Sequence, residues 1–306
     1  MCGLFGFSQY GEEGLKNISL LTEALAEESV ARGADATGIA FCKKGRIEIH
    51  KDSKPAYGMK LSHPENIKAL MGHTRHTTHG SEKLNFNNHP FGGRTKNTFF
   101  ALAHNGILSN CRQLSGIHNL PATHIETDSY TAVQLLEKKK HLDFDSIKFM
   151  AEAVEGSFCF SILDNKNNLY LVKGDNPLHM LHFPAQKIYV YASTEEILWK
   201  ALVSSLLFDS LKAGDYEVIN MTEGDIIKIS DGKIETDKFE YKHPLIMPPY
   251  CSWYDGWYDD YGASYTEELK SIAGSMGHTS DFVDEMLKQG FTFDDIEDYL
   301  YCGEGI

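Results

Sequence analysis

The chain has 306 residues, of which 42% are hydrophobic, 24% charged and 11% aromatic, which fits one large domain or one domain with an appendage and excludes a disordered or fibrous chain. Its 29 Lys and Arg face 43 Asp and Glu, a net charge of −14, and that balance argues against nucleic acid and anionic membrane as partners. The first residues, MCGLFGFSQYGEEG, lack the basic and apolar regions of a signal peptide and no later run is long enough for a bilayer span, so a cytoplasmic location is expected.

Residues 3–8 are apolar and strand-like, and Leu15, Ile18, Leu21 and Leu25 repeat at helical spacing across 15–29. Strand-like runs at 38–42, 46–50, 69–73 and 99–104, separated by Gly, Asn and Pro, read as one sheet. Asp128 and Asp145 then head helices reaching 136 and 154, each as an acidic N-cap. A second strand set covers 157–163, 169–173 and 188–192. A helix at 195–205 follows, then strands at 216–219 and 225–229 and a turn at Asp231-Gly232. Two strand sets separated by helices predict an α+β fold of two stacked sheets with outer helices.

Composition changes after His243-Pro244. Residues 245–306 hold 13 acids and two bases, a net of −11, and begin with the aromatic and acidic stretch PPYCSWYDGWYDDYGASY. Domains at 1–244 and 245–306 are expected. In the second, 266–276, 280–288 and 292–301 read as short helices, with Ser280 and Thr292 as N-caps and Gly290 as a stop.

The six cysteines, Cys2, Cys42, Cys111, Cys159, Cys251 and Cys302, form no CxxC pair, which suits reduced thiols better than disulfides or a zinc site. Cys42 and Cys159 lie in apolar runs and read as packing thiols. Cys2 is different, because removal of Met1 would put a thiol and a free α-amine on one residue. That amine, with a pKa of roughly 7.7–8.0, can take the thiol proton directly or through one water. Its ordinary reading is a small residue at a strand start.

The segment GHTRHTTHG, 72–80, ends a strand and enters a polar loop. Arg75 offers a planar fork for a carboxylate, and Thr77 and Thr78 offer hydroxyls. His73, His76 and His79 recur every third residue, a spacing that does not place three side chains on one side of a strand, so structural histidines are expected rather than a metal site. Asn105-Gly106 reads either as a hairpin turn or as two oxyanion donors, a side-chain amide and a backbone N–H. Asp128 reads either as a helix cap or as a carboxylate for a substrate ammonium.

Taken in order, Cys2-Gly3, RGADATGIA at 32–40, HTRHTTHG at 73–80, NNHPF at 87–91, AHNGIL at 103–108, ETDSY at 126–130, EGSFCFSI at 155–162 and YASTEEIL at 191–198 resemble the glutaminase domain of the class II glutamine amidotransferases. The resemblance runs from Cys2 to about residue 240. It implies the N-terminal-nucleophile (Ntn) hydrolase fold, a four-layer αββα sandwich of two antiparallel sheets, here with a small helical C-terminal tail. It also implies glutamine as substrate, with Cys2 as nucleophile and Asn105 and Gly106 as oxyanion hole. Arg75, with Thr77, Thr78 and His79, would bind the α-carboxylate and Asp128 the α-ammonium, with Arg32 and His89 in support and neither metal nor cofactor required. His76 departs from the aromatic residue often found in the family. No SGGxDS pyrophosphatase loop, sugar-phosphate isomerase domain or phosphoribosyl-binding motif accompanies these segments. The expected partner is therefore a separate ammonia-accepting synthase, or a second copy of the chain, meeting the C-terminal tail. The alternatives are an amidohydrolase acting on a γ-glutamyl peptide or other amide, and a non-catalytic glutamine-sensing subunit.

Overall fold

Every residue of β1 (Gly3–Gln9) is buried, and its alternation divides the interior in two. Phe5 and Phe7 join one apolar cluster while Leu4 joins another, as the two-residue period of a strand with both faces covered requires. The computed structural model describes residues 2–12, 14–205 and 207–243 and, further on, 266, 269–270, 272–274, 276–279, 281–289, 291, 296 and 299–300. The chain divides into two compact units, Met1–Pro244 and Leu245–Ile306.

In the first unit β1 lies between two antiparallel neighbours, β4 (Ala69–Arg75) and β10 (Ile188–Ala192), with Leu4 opposite His73 and Phe5 opposite Ala192. The sheet is extended on one side by β2 (Ala36–Lys43) and β3 (Arg46–Asp52), and on the other by β9 (His179–Phe183) and β11 (Glu217–Ile219). Its order is β11-β9-β10-β1-β4-β2-β3. A second sheet of six strands runs β13-β12-β8-β7-β6-β5. Its members are β5 (Phe91–Arg94), β6 (Phe99–Leu108), β7 (Gly156–Asp164), β8 (Leu169–Lys173), β12 (Asp225–Ser230) and β13 (Lys233–Lys238). All pairings within both sheets are antiparallel.

Leu21 and Leu25 of α1 (Ile18–Glu28) and Leu198 and Leu202 of α5 (Glu195–Val203) cover Phe5, Phe7 and Phe41 on the first sheet, with Leu211 of α6 (Phe208–Ala213). Leu114 of α2 (Cys111–His118), Leu135 and Leu136 of α3 (Tyr130–Glu137), and Ile147 and Met150 of α4 (Phe144–Ala153) cover Phe100, Leu102 and Phe160 on the second. Between the sheets lie Leu4, Ala40, Met71, Ala101, Ala103, Leu171 and Tyr191. The Tyr191 hydroxyl meets Ser161 Oγ at 2.7 Å across that layer. Each fully buried Phe or Leu contributes roughly 1.5–3 kcal/mol, so these three layers are the main source of cohesion. The result is the expected four-layer α+β sandwich.

Several local expectations change. The strands do not sort into sheets in chain order: β6 leaves the first set for the second sheet, and β9, β10 and β11 join the first. β1 is the reason, since it is flanked on both sides and takes β10 as its second neighbour. Asn105-Gly106 is no hairpin turn; both residues lie within β6, opposite Cys159 and Phe158. The first helix begins at Ile18 because Asn17 adopts a left-handed φ of 56°, which a helix cannot continue. Asp143, not Asp145, caps α4, in a reciprocal box with Ser146. Asp231 and Gly232 both have positive φ, as the expected tight turn between β12 and β13 demands.

In the second unit Leu269, Ala273, Val283, Met286, Ile296 and Leu300 form a buried cluster around α7 (Phe282–Lys288). Lys270 pairs with Asp284 at 2.8 Å. The expected caps Ser280 and Thr292, the stop at Gly290 and the aromatic stretch 253–265 lie outside the described residues. No helix of the described residues is long and apolar enough to cross a membrane.

Candidate active site

Pairing of Gly3 with Thr74 brings Cys2 to the end of β4, where Arg75 stands. The Cys2 carbonyl accepts a hydrogen bond from Arg32 Nε at 2.9 Å, and its Sγ lies 3.5 Å from the His76 carbonyl. Arg32 thus fixes the backbone from which the half-buried thiol projects. Burial holds the Arg75 guanidinium below its usual pKa, opposed by the Glu82, Asp35 and Asp128 carboxylates and by the Cys2 sulfur when it is ionised. The first three segments of the sequence motif and the distant Asp128 therefore share one electrostatic environment.

Arg75 is 3% exposed. Its Nη1 donates to Asn88 Oδ1 at 2.6 Å, and its Nη2 donates to the carbonyls of His79 and Gly80. The guanidinium so folds loop 76–80 around itself. His79 takes part through its backbone, its side chain being exposed. The Thr77 N–H donates to Asp35 Oδ2 at 2.7 Å, whereas the buried Thr77 hydroxyl has no partner. Thr78 is half-buried in the same loop.

Asp128 is not the expected N-cap: Ser129 holds that position of α3, and no side chain caps the helix. One carboxylate oxygen accepts the Leu108 N–H at 2.6 Å and the other accepts the Ser129 N–H at 2.8 Å, so the carboxylate ties the end of β6 to the start of α3. The motif NNHPF adds two residues that pattern reading passed over. Asn87 Nδ2 donates to Glu126 Oε2 at 2.7 Å and its Oδ1 accepts the Glu126 N–H at 2.9 Å, clamping the loop after Arg75 to the segment before Asp128. Asn88 orients Arg75 directly. Both are fully buried, and two adjacent asparagines in a loop between apolar strands were the available signal.

Asn105 is fully buried, yet neither Nδ2 nor Oδ1 has a hydrogen-bond partner. A buried, unpaired amide costs about 1–3 kcal/mol, so its retention asks for a reason beyond packing. Next to it, Gly106 has φ +133° and a Cβ there would stand 2.0 Å from the Ser157 carbonyl, so only glycine fits. β5 pairs with β6 only as far as Leu102, leaving 103–108 with a strand on one side. The His104 carbonyl and Leu108 N–H turn to that open edge, accepting from His73 Nε2 at 3.0 Å and donating to Asp128. By the alternation of an extended strand, Gly106 lies on the same edge between them.

His73, His89 and His104 are buried together, His73 meeting His89 and the His104 backbone. The His73 and His89 rings stack at 4.1 Å, and His104 Nδ1 meets Ser129 Oγ at 2.8 Å. His73 Nδ1, His104 Nε2 and both nitrogens of His89 have no partner. No group of three His, Cys, Asp or Glu among the described residues could hold a metal. Burial pushes the His73 imidazole down to about 3 from 6.5 and lowers His89 and His104 as well. Neutral imidazoles in the folded state mean that only the unfolded chain takes up their protons as pH falls below 6.5. Stability is thus complete above 6.5 and declines below it, by about 1.4 kcal/mol per pH unit for His73 alone. The thermal midpoint should fall steadily from pH 6.5 to 5; a flat midpoint across that window would mean the imidazoles charge in place.

A separate groove of about 780 Å³ between β3 and β5, lined by Arg46, Ile49, Gly92, Phe99 and Glu137 among others, includes none of these residues.

No family model matches the chain. It is 29% identical over 187 residues to glutamine–fructose-6-phosphate aminotransferase [isomerizing] of Bacillus licheniformis and 32% identical over 193 residues to the Staphylococcus aureus protein of the same name. Each match covers 58% of this chain and 30% of the relative. Over these residues the chain is similar to glutamine-dependent aminotransferases. It spans about 30% of the length of these curated relatives. The chain also shares its fold with the glutamine phosphoribosylpyrophosphate amidotransferase from B. subtilis, at a TM-score of 0.62 and 21% identity over 79% of this chain and 50% of that one.

Proposed function

We propose that residues 1–244 hydrolyse the side-chain amide of glutamine through an N-terminal cysteine. Once Met1 is removed, the Cys2 α-amine takes the thiol proton and the sulfur attacks the amide carbon. The developing oxyanion receives the Asn105 side-chain N–H and the Gly106 N–H, aligned before the reaction begins. The protonated amine returns the proton to the leaving nitrogen as the C–N bond breaks, and ammonia departs. Water then cleaves the γ-glutamyl thioester, giving glutamate and the free thiol. Arg75, with loop 76–80, takes the substrate α-carboxylate, and Asp128 takes the α-ammonium. Arg32 holds the nucleophile's backbone, and His89, stacked on His73, lends support.

The observation that carries this reading is Asn105, a fully buried amide without a partner beside a glycine that no other residue can replace. We place the ammonia acceptor on another polypeptide or a second copy of the chain, reached through the acidic unit 245–306. Glutamine, asparagine and a γ-glutamyl dipeptide offered in parallel test the substrate. Glutamate and ammonia should form fastest from glutamine. Preference for the dipeptide would overturn the substrate assignment, and glutamine binding without turnover would leave a sensing subunit.

A further inference from the structure

Lys51, near the end of β3, buries an ammonium without a carboxylate. Its Nζ donates to the carbonyls of Asn88 and Pro90, the latter at 3.1 Å, and stands 4.9 Å above the Phe91 ring. Among the described residues no acidic side chain lies within ion-pair distance of it; its neighbours Asp52 and Lys54 pair with each other at 2.7 Å. The charges and titratable groups that face it are the Arg75 guanidinium from β4 and the neutral imidazoles of His73 and His89. A cation placed beside another cation, in a largely buried position, is costly unless the geometry it enforces has a use.

That geometry is a fixed approach of segment 88–90 to β2 and β3. Gly38, opposite Lys51 in the pairing, admits it: a Cβ at Gly38 would lie 2.2 Å from the His89 carbonyl and 2.9 Å from Pro90 Cδ. Held there, Asn88 presents Oδ1 to Arg75 Nη1 at 2.6 Å. Its Nδ2 meanwhile reaches the Glu82 carbonyl at 2.8 Å and Asn85 Oδ1 at 3.2 Å. Every hydrogen bond between Lys51 and the guanidinium therefore passes through one residue, Asn88. We propose that Lys51 is a positioning residue, pinning Asn88 so that Asn88 aims Arg75 at the carboxylate of the substrate. The inference rests on the proposed role of Arg75 and extends it to a residue 24 positions earlier in the chain.

Burial, aided by the positive charge of Arg75, lowers the Lys51 ammonium from 10.5 to about 8. The pin therefore carries its full charge below pH 8 and loses it above, whereas arginine at this position would keep its charge throughout.

The test compares wild type, Lys51→Arg and Lys51→Met with glutamine as substrate between pH 6.5 and 9. Lys51→Met should raise KM at least tenfold at pH 7 with kcat within about threefold of wild type, the pattern of lost ground-state binding. Lys51→Arg should recover most of that loss. In wild type KM should climb above pH 8, and in Lys51→Arg that climb should shrink; titration of the substrate's own amine is common to both proteins. An unchanged KM in a folded Lys51→Met, or identical pH profiles for wild type and Lys51→Arg, would overturn the proposal. So would parallel losses of kcat and thermal midpoint in both variants, which mark a purely structural lysine. The wild-type profile needs no variant and stands even if Lys51→Met fails to fold. Should wild type show no glutaminase activity, the proposed function fails first. The Arg75 side-chain NMR resonances, shifted by Lys51→Met and by raising the pH through 8, then report on the pin alone; unshifted resonances overturn it.

Discussion

Replacing Cys2 by alanine should lower glutamate release by at least about a thousandfold, because the variant retains the pocket and loses the sulfur proposed to form the thioester. The thermal midpoint should stay close to wild type. Cys2 is half-buried and belongs to none of the apolar clusters, and the Arg32 hydrogen bond is to its backbone carbonyl, which alanine keeps. Among the described residues, the other thiols are poor substitutes for it. Burial pushes Cys111 and Cys159 up to about 12 and raises Cys42 too, so their thiolate forms are scarce near neutrality and they react slowly. Steady-state assays of glutamate and ammonia with circular dichroism on the same samples decide the matter. Activity within tenfold of wild type in a folded Cys2→Ala protein would remove the nucleophile assignment.

The second large effect is expected at Asn105, and its signature separates catalysis from structure. Asn105→Ala should lower kcat by about 10²–10³-fold, or roughly 3–4 kcal/mol, the cost of one oxyanion donor, with KM nearly unchanged. Its stability should move the other way. A structural asparagine loses hydrogen bonds on truncation, but here both polar atoms of the amide are already unpaired and buried. Removing them relieves a desolvation cost of about 1–3 kcal/mol, which offsets the small void left behind. The thermal midpoint of Asn105→Ala should therefore equal or exceed that of wild type while turnover collapses. A drop in midpoint together with retained kcat would mean that Asn105 serves the sheet and not the reaction.

Individual elements show what the sequence could reveal. The apolar run of β1, the helical spacing of Leu21 and Leu25 and the Asp231-Gly232 turn are local signals, and the structure follows them. β13 carries the alternating but mostly polar KIETDK, the composition of an exposed edge strand, which apolar patterning does not register. β9 hides its apolar centre between His179 and His182. Asn105-Gly106 misleads as a turn because cross-strand pairing with β7 outweighs local preference. The candidate-site residues are readable as a set of ordered segments. The clamps that Asn87 and Asn88 provide were not, since Asn87 finds Glu126 39 positions away and no spacing rule links them. Arg75 was legible as a cation in a loop; its enclosure by its own loop carbonyls is a tertiary fact.

The open edge of β6 beyond Leu102 has a cost and a purpose that meet in the same five or six peptide units. Sheets gain cohesion by covering their edges, and about six more residues of β5 would cover this one. Under the proposed chemistry the same extension would occupy the space where the substrate amide must lie. The ragged end of the second sheet is thus a compromise between cohesion and access, and a change that mended it would make a sturdier protein with nowhere for its substrate to bind.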